Sequence, residues 1–576
     1  MSRVRVFLCL GCVLMVALFA PAQSSAQAPI DPGRLPSRTM GYLYWHGTPS
    51  GEIRKTNSLL ALWDDPQFVS SRDSLWDSFS SDTNHANKLT RADFDQYVSL
   101  LDNPFIVGYL RQPESHTSSK SATPGSTTPP AWNGMFLIYD RSGKEQLLSK
   151  AVMQMRGAEK DIPKLTEITV AGVPALKVER KTDTTYWAEF SKYAVSANEM
   201  TVFEEILNVV NGKSTGSTVS DSAAYQEAKP LLNGGVLEFF VGIPSAEQIT
   251  ASSPASATAQ IRMLLSSLKL NAIHSIAGHA SLEGTRSRMT GAVLGDTAPG
   301  SLFDIWADGQ ANPVSMGYLS TVTVYYGESQ FNLMGIYDTL KRAFTPPGST
   351  QTVSPMEQMA ETRLGMSLPD ALSTVTGEVA WLQNSPVLDD TQKVYLVGIR
   401  NKPNALKLMR TLMGEQITSE RNEGDATYLK ISLHGGQTSA GVAQWNFYYL
   451  AMMPNLLLGA AKSETLHKYV AQTPALPDAA QFKNLLAARS QFPEKLDGFS
   501  YFDFQKVDWA GAKAKWVAEA HKSAQTAKST DATKTSNKWA DWLNQVDPEV
   551  FSRHLHSMTG ASWKDAKGVH FDEWLE

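Results

Sequence analysis

One helical stripe occurs twice in this chain, each time in matching surroundings. Phe203, Ile206, Leu207 and Val210 follow the strand-like run "KYAVSA" at spacing i, i+3, i+4, i+7, which lays them along one helix face. Leu466, Tyr469 and Val470 follow "NLLLGAA", each at the same distance in sequence from its counterpart among the first three. The recurrence extends on both sides. "MFLIYD" (135–140) and the helical "GKEQLLSKAVMQM" answer to "VYLVGIR" (394–400) and "PNALKLMRTLMG". The hairpin "EITVAGVPALKVER" (167–180) answers to "ATYLKISLHGG" (426–436), and "GVLEFFV" at Gly235 to "GFSYFDF" at Gly498. "HSIAGHASLEG" at His274 faces "HSMTGASWKDA" at His556, and "GYLYWHG" (41–47) faces "VTVYYGE" (322–328). An ordered series of this kind makes each half build the same unit. The expectation is an α+β protein of two homologous repeats, each a mostly antiparallel sheet with packed helices. Unit 1 spans 37–300, a connection 301–321 and unit 2 322–576. Antiparallel pairing is expected because many connections are shorter than the dozen or so residues a parallel crossover needs.

The N-terminus sets the compartment. Arg3 and Arg5 precede the apolar run "VFLCLGCVLMVALFA", and Pro21 and "AQSSAQA" follow it. That order reads as a signal peptide over 1–26, and the protein is expected to be exported, to the periplasm or the exterior. Membrane contact is expected only if this segment stays uncleaved as an anchor, since no later apolar run approaches the roughly 20 residues a membrane span needs. Cys9 and Cys12, the two cysteines, both lie within it. The mature chain therefore has no disulfide, no thiol nucleophile and no thiolate metal site. Formal net charge is −5 with no basic block, so nucleic acid is not an expected partner. Three stretches poor in large apolar residues read as linkers or long loops: 113–130, 345–355 and 522–538.

The stretches "YLYWHGTPS…TNSLLALWDDPQF", "VYYGESQFNL", "LGMSLPDALSTVTGEVAW", "YAVSANEMTVFEEI" and "LLLGAAKSETLHKYV" resemble a family of exported bacterial proteins defined as a domain of unknown function. The resemblance covers most of the mature chain. It implies an α+β architecture and an extracytoplasmic role, and it transfers no catalytic residue.

His46, at the end of an aromatic run, is the first site candidate. Read as a strand, the run sends Tyr42 and Tyr44 to one face and Leu43 and Trp45 to the other, and the counterpart "VTVYYGE" has no histidine. His274, His279, His554, His556 and His570 form the best polar constellation. His554 and His556 alternate along an expected strand, and with Asp572 or Glu573 such imidazoles could bind zinc. The expectation is nevertheless of strand histidines bonded to backbone or water, with no metal and no cofactor. "NGKSTGS" (211–217) follows a helix and has Leu207 where a phosphate loop needs glycine, and neither G-x-S-x-G nor H-E-x-x-H occurs. "WDDP" (63–66) reads as a helix end. Trp539 and Trp542, three apart beside the 522–538 stretch, are the best candidates for an exposed docking face.

The resulting reading is a non-enzymatic envelope protein acting as a binding or interaction module. Its partner would be an envelope component: a protein, a glycan or an apolar ligand. Two alternatives stand beside it, a periplasmic hydrolase with a histidine or metal site between the repeats, and a carrier of lipid or another apolar ligand.

Overall fold

The computed structural model describes residues 31–49, 51–80, 96, 98–111, 134–149, 164–180, 183–214, 216–244, 272–310, 313–344, 355–437, 443–472, 482–526 and 530–576. The signal segment with both cysteines, and the 113–130 stretch, lie outside these. Among the described residues no helix is long and apolar enough to cross a membrane. The architecture is α+β, and the chain falls into two compact units. The first takes in the described residues before 258 together with Ile273–Gly295, and the second Asp296–Glu576.

Among its described residues unit 1 has ten strands: β1 (Thr39–Trp45), β2 (Phe105–Leu110), β3 (Met135–Asp140), β4 (Lys164–Val170), β5 (Val173–Glu179), β6 (Thr184–Phe190), β7 (Tyr193–Ala197), β8 (Leu237–Gly242), β9 (Ile273–Glu283) and β10 (Arg286–Gly295). They pair antiparallel in the order β4-β5-β6-β7-β3-β2-β1-β8-β9-β10. The β4–β5 hairpin turns at Ala171 and Gly172, both with positive φ (52° and 81°), as a two-residue hairpin matching the strand twist requires. Alternation sends Tyr42, Tyr44, Ile106, Phe136, Ile138 and Val195 to one face. The helix Met200–Val210 covers that face with Val202, Phe203, Ile206 and Leu207, all fully buried. Burial of each such side chain contributes about 1.5–3 kcal/mol. Asn211 and Gly212 end the helix, Gly212 at φ 70°.

Unit 2 uses β11 (Tyr325–Gln330), β12 (Val375–Gln383), β13 (Lys393–Ile399), β14 (Ile417–Glu423), β15 (Ala426–Gln437), β16 (Ala443–Met452), β17 (Leu456–Ala460), β18 (Gly498–Asp503), β19 (Ser557–Asp565) and β20 (Gly568–Leu575). Their order is β14-β15-β16-β17-β13-β12-β11-β18-β19-β20, again antiparallel throughout. This is the order of unit 1, strand for strand. The register matches as well. Setting Val195 of β7 level with Leu458 of β17, one cross-strand row in unit 1 runs Ala188, Val195, Ile138, Ile106, Tyr44, Glu238, His279. Its equivalent in unit 2 runs Ala451, Leu458, Leu396, Ala380, Glu328, Phe499, Ala561. Leu466 and Tyr469, on the helix Ser463–Val470, are buried and Val470 packs beside them, as Phe203, Ile206 and Leu207 do in unit 1.

Several sequence readings need correction. The 522–538 stretch is not a linker: the helices Trp509–Thr526 and Thr530–Gln545 run through it and pack on each other. Its alanines and lysines are strong helix formers, and the small side chains of Ala512, Ala524 and Ala540 are buried. "ATYLKISLHGG", matched above to the hairpin over 167–180, is one long strand, β15. Its partner β14, "ITSERNE", escapes an apolar-alternation reading because six of its seven residues are exposed, as befits a charged edge strand. The pairing of "GYLYWHG" with "VTVYYGE" is also out of step. The ladder sets Tyr42 level with Tyr326 and Tyr44 with Glu328, so the position of His46 is held by Gln330, not Gly327. Backbone bonds agree: His46 N–H donates to Val236 O at 2.9 Å, and Gln330 N–H to Asp497 O at 2.6 Å.

Candidate functional site

The end of β1 gathers the polar groups of unit 1. Tyr42 and Tyr44 lie in the core, and burial holds both phenols well above their ordinary range. Trp45 faces the other way, buried, and donates its indole N–H to Leu101 O at 2.5 Å. His46 packs its ring on Tyr44, 4.0 Å between centroids. Its Nε2 lies 3.0 Å from Oε1 of the buried Glu238 on β8. Nε2 makes no hydrogen bond to it or to any other group among the described residues. Close by, Asp102 is buried, which raises its pKa, and it takes Lys144 as its cation at 3.0 Å. An imidazole held by a buried carboxylate has the makings of a general base. No hydroxyl is hydrogen-bonded to Nε2, so no activated nucleophile accompanies it.

Unit 2 buries a different polar set. Glu328 Oε1 meets Arg489 Nη1 at 2.6 Å, and Tyr326 donates its hydroxyl to the other carboxylate oxygen. Tyr326 also meets Ser315 Oγ at 3.0 Å. Glu378 accepts the backbone N–H groups of Ser315 and Val314 at 2.8 and 3.2 Å. Burial raises Glu328 despite the guanidinium beside it. The acids of this set are thus spent on a cation and on backbone donors, which is a structural use of buried charge. Asp497, next to β18, differs. It is buried, its Oδ2 has no partner, and burial pushes its carboxyl up to about 7.

Within each unit the histidines of the sequence reading have separate partners. His274 is in unit 1, near the start of β9, with Nδ1 2.9 Å from Glu227. His279 Nδ1 meets Leu231 O at 2.8 Å. The other three are in unit 2. His554 ends the helix Glu549–His554 and His556 precedes β19, so the two do not alternate along a strand. Pro548 and the helix it opens carry His554 away from the ladder. His570 Nε2 lies 3.0 Å from Asp565, with its ring stacked on Trp563. Among the described residues no three His, Cys, Asp or Glu side chains converge as metal ligands. His274 and His556 are nonetheless register partners: Ile243 N–H donates to His274 O and Phe504 N–H to His556 O, both at 2.9 Å. Trp539 and Trp542 lie on the helix Thr530–Gln545, edge to face at 5.3 Å, and Trp539 is exposed.

Sequence reasoning passed over two surface features. A cleft of about 620 Å³ on unit 1 is lined by Trp187, Leu176, Pro174, Ser149, Glu167 and Glu189 among others. Glu189 is already engaged by Arg141 at 2.8 Å. The second is the face of the unit 1 sheet opposite the core. Two adjoining rows cross it, Leu137, Val107, Leu43, Phe239 and Met135, Tyr109, Gly41, Val241, Ile276. Apart from the Tyr109 hydroxyl their side chains are apolar, yet Leu43 is 38%, Met135 41% and Val241 42% exposed. The signal was in the sequence: "MFLIYD" and "GVLEFFV" carry apolar residues on the outer face as well as on the core side, as strands covered on both sides do.

Comparison with family models, with curated proteins and with solved structures finds no match to this chain.

Proposed function

We propose that this protein is an exported, non-enzymatic envelope protein, built from two homologous units and acting as a binding or interaction module. The observation that carries the reading is the partly exposed apolar face of unit 1 around Leu43, Met135 and Val241. Contiguous exposed apolar surface of this kind marks an interaction site in a water-facing protein. The homology of the units rests on the shared strand order and on registers that agree even at single backbone bonds. Export rests on the charged, apolar, small-residue order of residues 1–26.

The test is site-specific photo-crosslinking in the native envelope. A photoreactive residue at position 43 or 241 forms a discrete adduct, and one at Glu423, on the exposed edge of unit 2, does not. Absence of adducts from 43 and 241, or equal labelling from all three, overturns the reading.

The hydrolase reading has one observation in its favour, the His46–Glu238 contact. The carrier reading calls for an enclosed apolar cavity, whereas the cleft beside Trp187 is lined by Glu167, Glu189 and Ser149 as well as by apolar groups.

A further inference from the structure

Residues 306–310 form a strap beside the end of β11 and the start of β18 in unit 2. It is pinned at each end by a single β-bridge, Trp306 to Phe331 and Gln310 to Leu496. Gly309 has φ 72°, and a Cβ there would lie 2.9 Å from Leu496 N, so the strap lies flat on the chain just before β18. Arg489 holds one end through Gln310 O at 3.2 Å. Lys564 of β19 holds the middle: its Nζ donates to Trp306 O at 3.2 Å and lies 3.1 Å from Asp308 Oδ1.

Beside this hold sits Asp497. Its own backbone is fixed by Ser562 O and Gln330 N–H. Oδ2 has no partner, and Nε2 of the neighbouring buried Gln330 has none either. The charged groups around it come from four elements. Lys564 on β19 attracts its anion, and Asp308 on the strap repels it. Glu378 on β12, whose residue faces Gln330, is engaged with Val314 and Ser315, and Glu328 on β11 is engaged with Arg489. Among the described residues Lys564 is the cation that acts on Asp497, and it is held by Trp306 O and by Asp308, which is almost wholly exposed and so a weak partner.

We propose that Asp497 and Lys564 form a proton-controlled latch on the strap 306–310, closed when the Asp497 carboxyl is neutral and loosened when it ionises. With Asp497 neutral, the Lys564 ammonium is free to bond Trp306 O and Asp308. Loss of the proton leaves a buried anion whose nearest cation is that ammonium. Lys564 then turns inward, Trp306 O and Asp308 lose their partner, and only the two bridges and Arg489 hold the strap. Opening the strap also lets water reach Asp497, so ionisation and opening favour each other. A carboxyl that titrates near 7 places the change between pH 6 and 8.

Hydrogen exchange of the full chain tests this, read on the peptide covering 303–310 and corrected for intrinsic rates. Protection falls about tenfold between pH 6 and pH 8, in line with the rise in the ionised fraction. Asp497→Asn keeps the peptide protected at both pH values, and Lys564→Met leaves it unprotected at both. Equal protection of the wild-type peptide at the two pH values overturns the proposal. So does an Asp497→Asn variant that keeps the wild-type pH dependence, or a Lys564→Met variant as protected as wild type.

Discussion

Tyr44 and Glu328 hold the same point of two sheets with the same strand order. Tyr44 stands beside Glu238 on the next strand, and Glu328 stands beside Phe499, so the ring and the carboxylate exchange strands between the units. Each carboxylate has its own nitrogen partner, His46 Nε2 at 3.0 Å in one unit and Arg489 Nη1 at 2.6 Å in the other. Where one unit has such a pair, the register partners in the other are neither acid nor base: Phe499 for Glu238, Gln330 for His46, Tyr44 for Glu328. A buried carboxylate replaced together with its partner reads as a packing solution at one node, since removing the Arg489 member of its pair leaves a buried charge unpaired.

Arg489→Met therefore destabilises unit 2 by about 3–5 kcal/mol, because Glu328 is left buried without its cation. Urea unfolding followed by tryptophan fluorescence measures this. A change below about 1 kcal/mol would show that Tyr326 alone satisfies Glu328.

The two covering helices give a matched pair. Phe203→Ala costs about 3–5 kcal/mol and Leu466→Ala about 2–5 kcal/mol, each emptying a fully packed site. Differential scanning calorimetry of the single variants checks both. A loss under 1 kcal/mol at either residue contradicts its place in the core.

Asp497 gives a pH dependence with a definite sign. Its carboxyl titrates near 7 in the folded protein, against about 3.9 in an unfolded chain. The folded state therefore holds more protons between these values, and its contribution to stability, complete below pH 4, is lost as pH rises to 7, by on the order of 4 kcal/mol. Asp497→Asn removes that decline, so the variant is more stable than wild type at pH 8 and not at pH 4. Denaturation midpoints across pH 4–8 decide it, and parallel curves for the two proteins refute it.

His46→Ala leaves any activity found for this protein within a few-fold. The ring rests on Tyr44 and Glu238 with no hydroxyl at Nε2 to activate. A loss of about 100-fold, the size expected for a missing general base, would favour the hydrolase reading instead.

The parts legible in the sequence were those that repeat a period. The stripe Phe203, Ile206, Leu207 and its partner Leu466, Tyr469 announce a helix face, and "MFLIYD" and "VYLVGIR" announce strands. β14 was invisible because an edge strand such as "ITSERNE" pairs through its backbone and needs no apolar alternation. The helices across 522–538 were hidden because composition alone cannot tell an Ala- and Lys-rich helix from a solvated loop. The Glu328–Arg489 pair joins residues 161 apart in sequence, and no local pattern relates them. The three-residue slip at His46 has a simple cause: aromatic residues dominate both strands, and only the ladder fixes which tyrosine is which.

The most direct test of the proposed interaction role is the stability of the purified double variant Leu43→Lys, Val241→Lys. If the apolar face of unit 1 is free to meet a partner, two lysines there are surface substitutions. The unfolding free energy then changes by no more than about 0.5 kcal/mol per site, while the photo-crosslink from the neighbouring position 135 in the native envelope is lost. A loss of several kcal/mol in the isolated protein would show instead that this face is core, and would contradict the account.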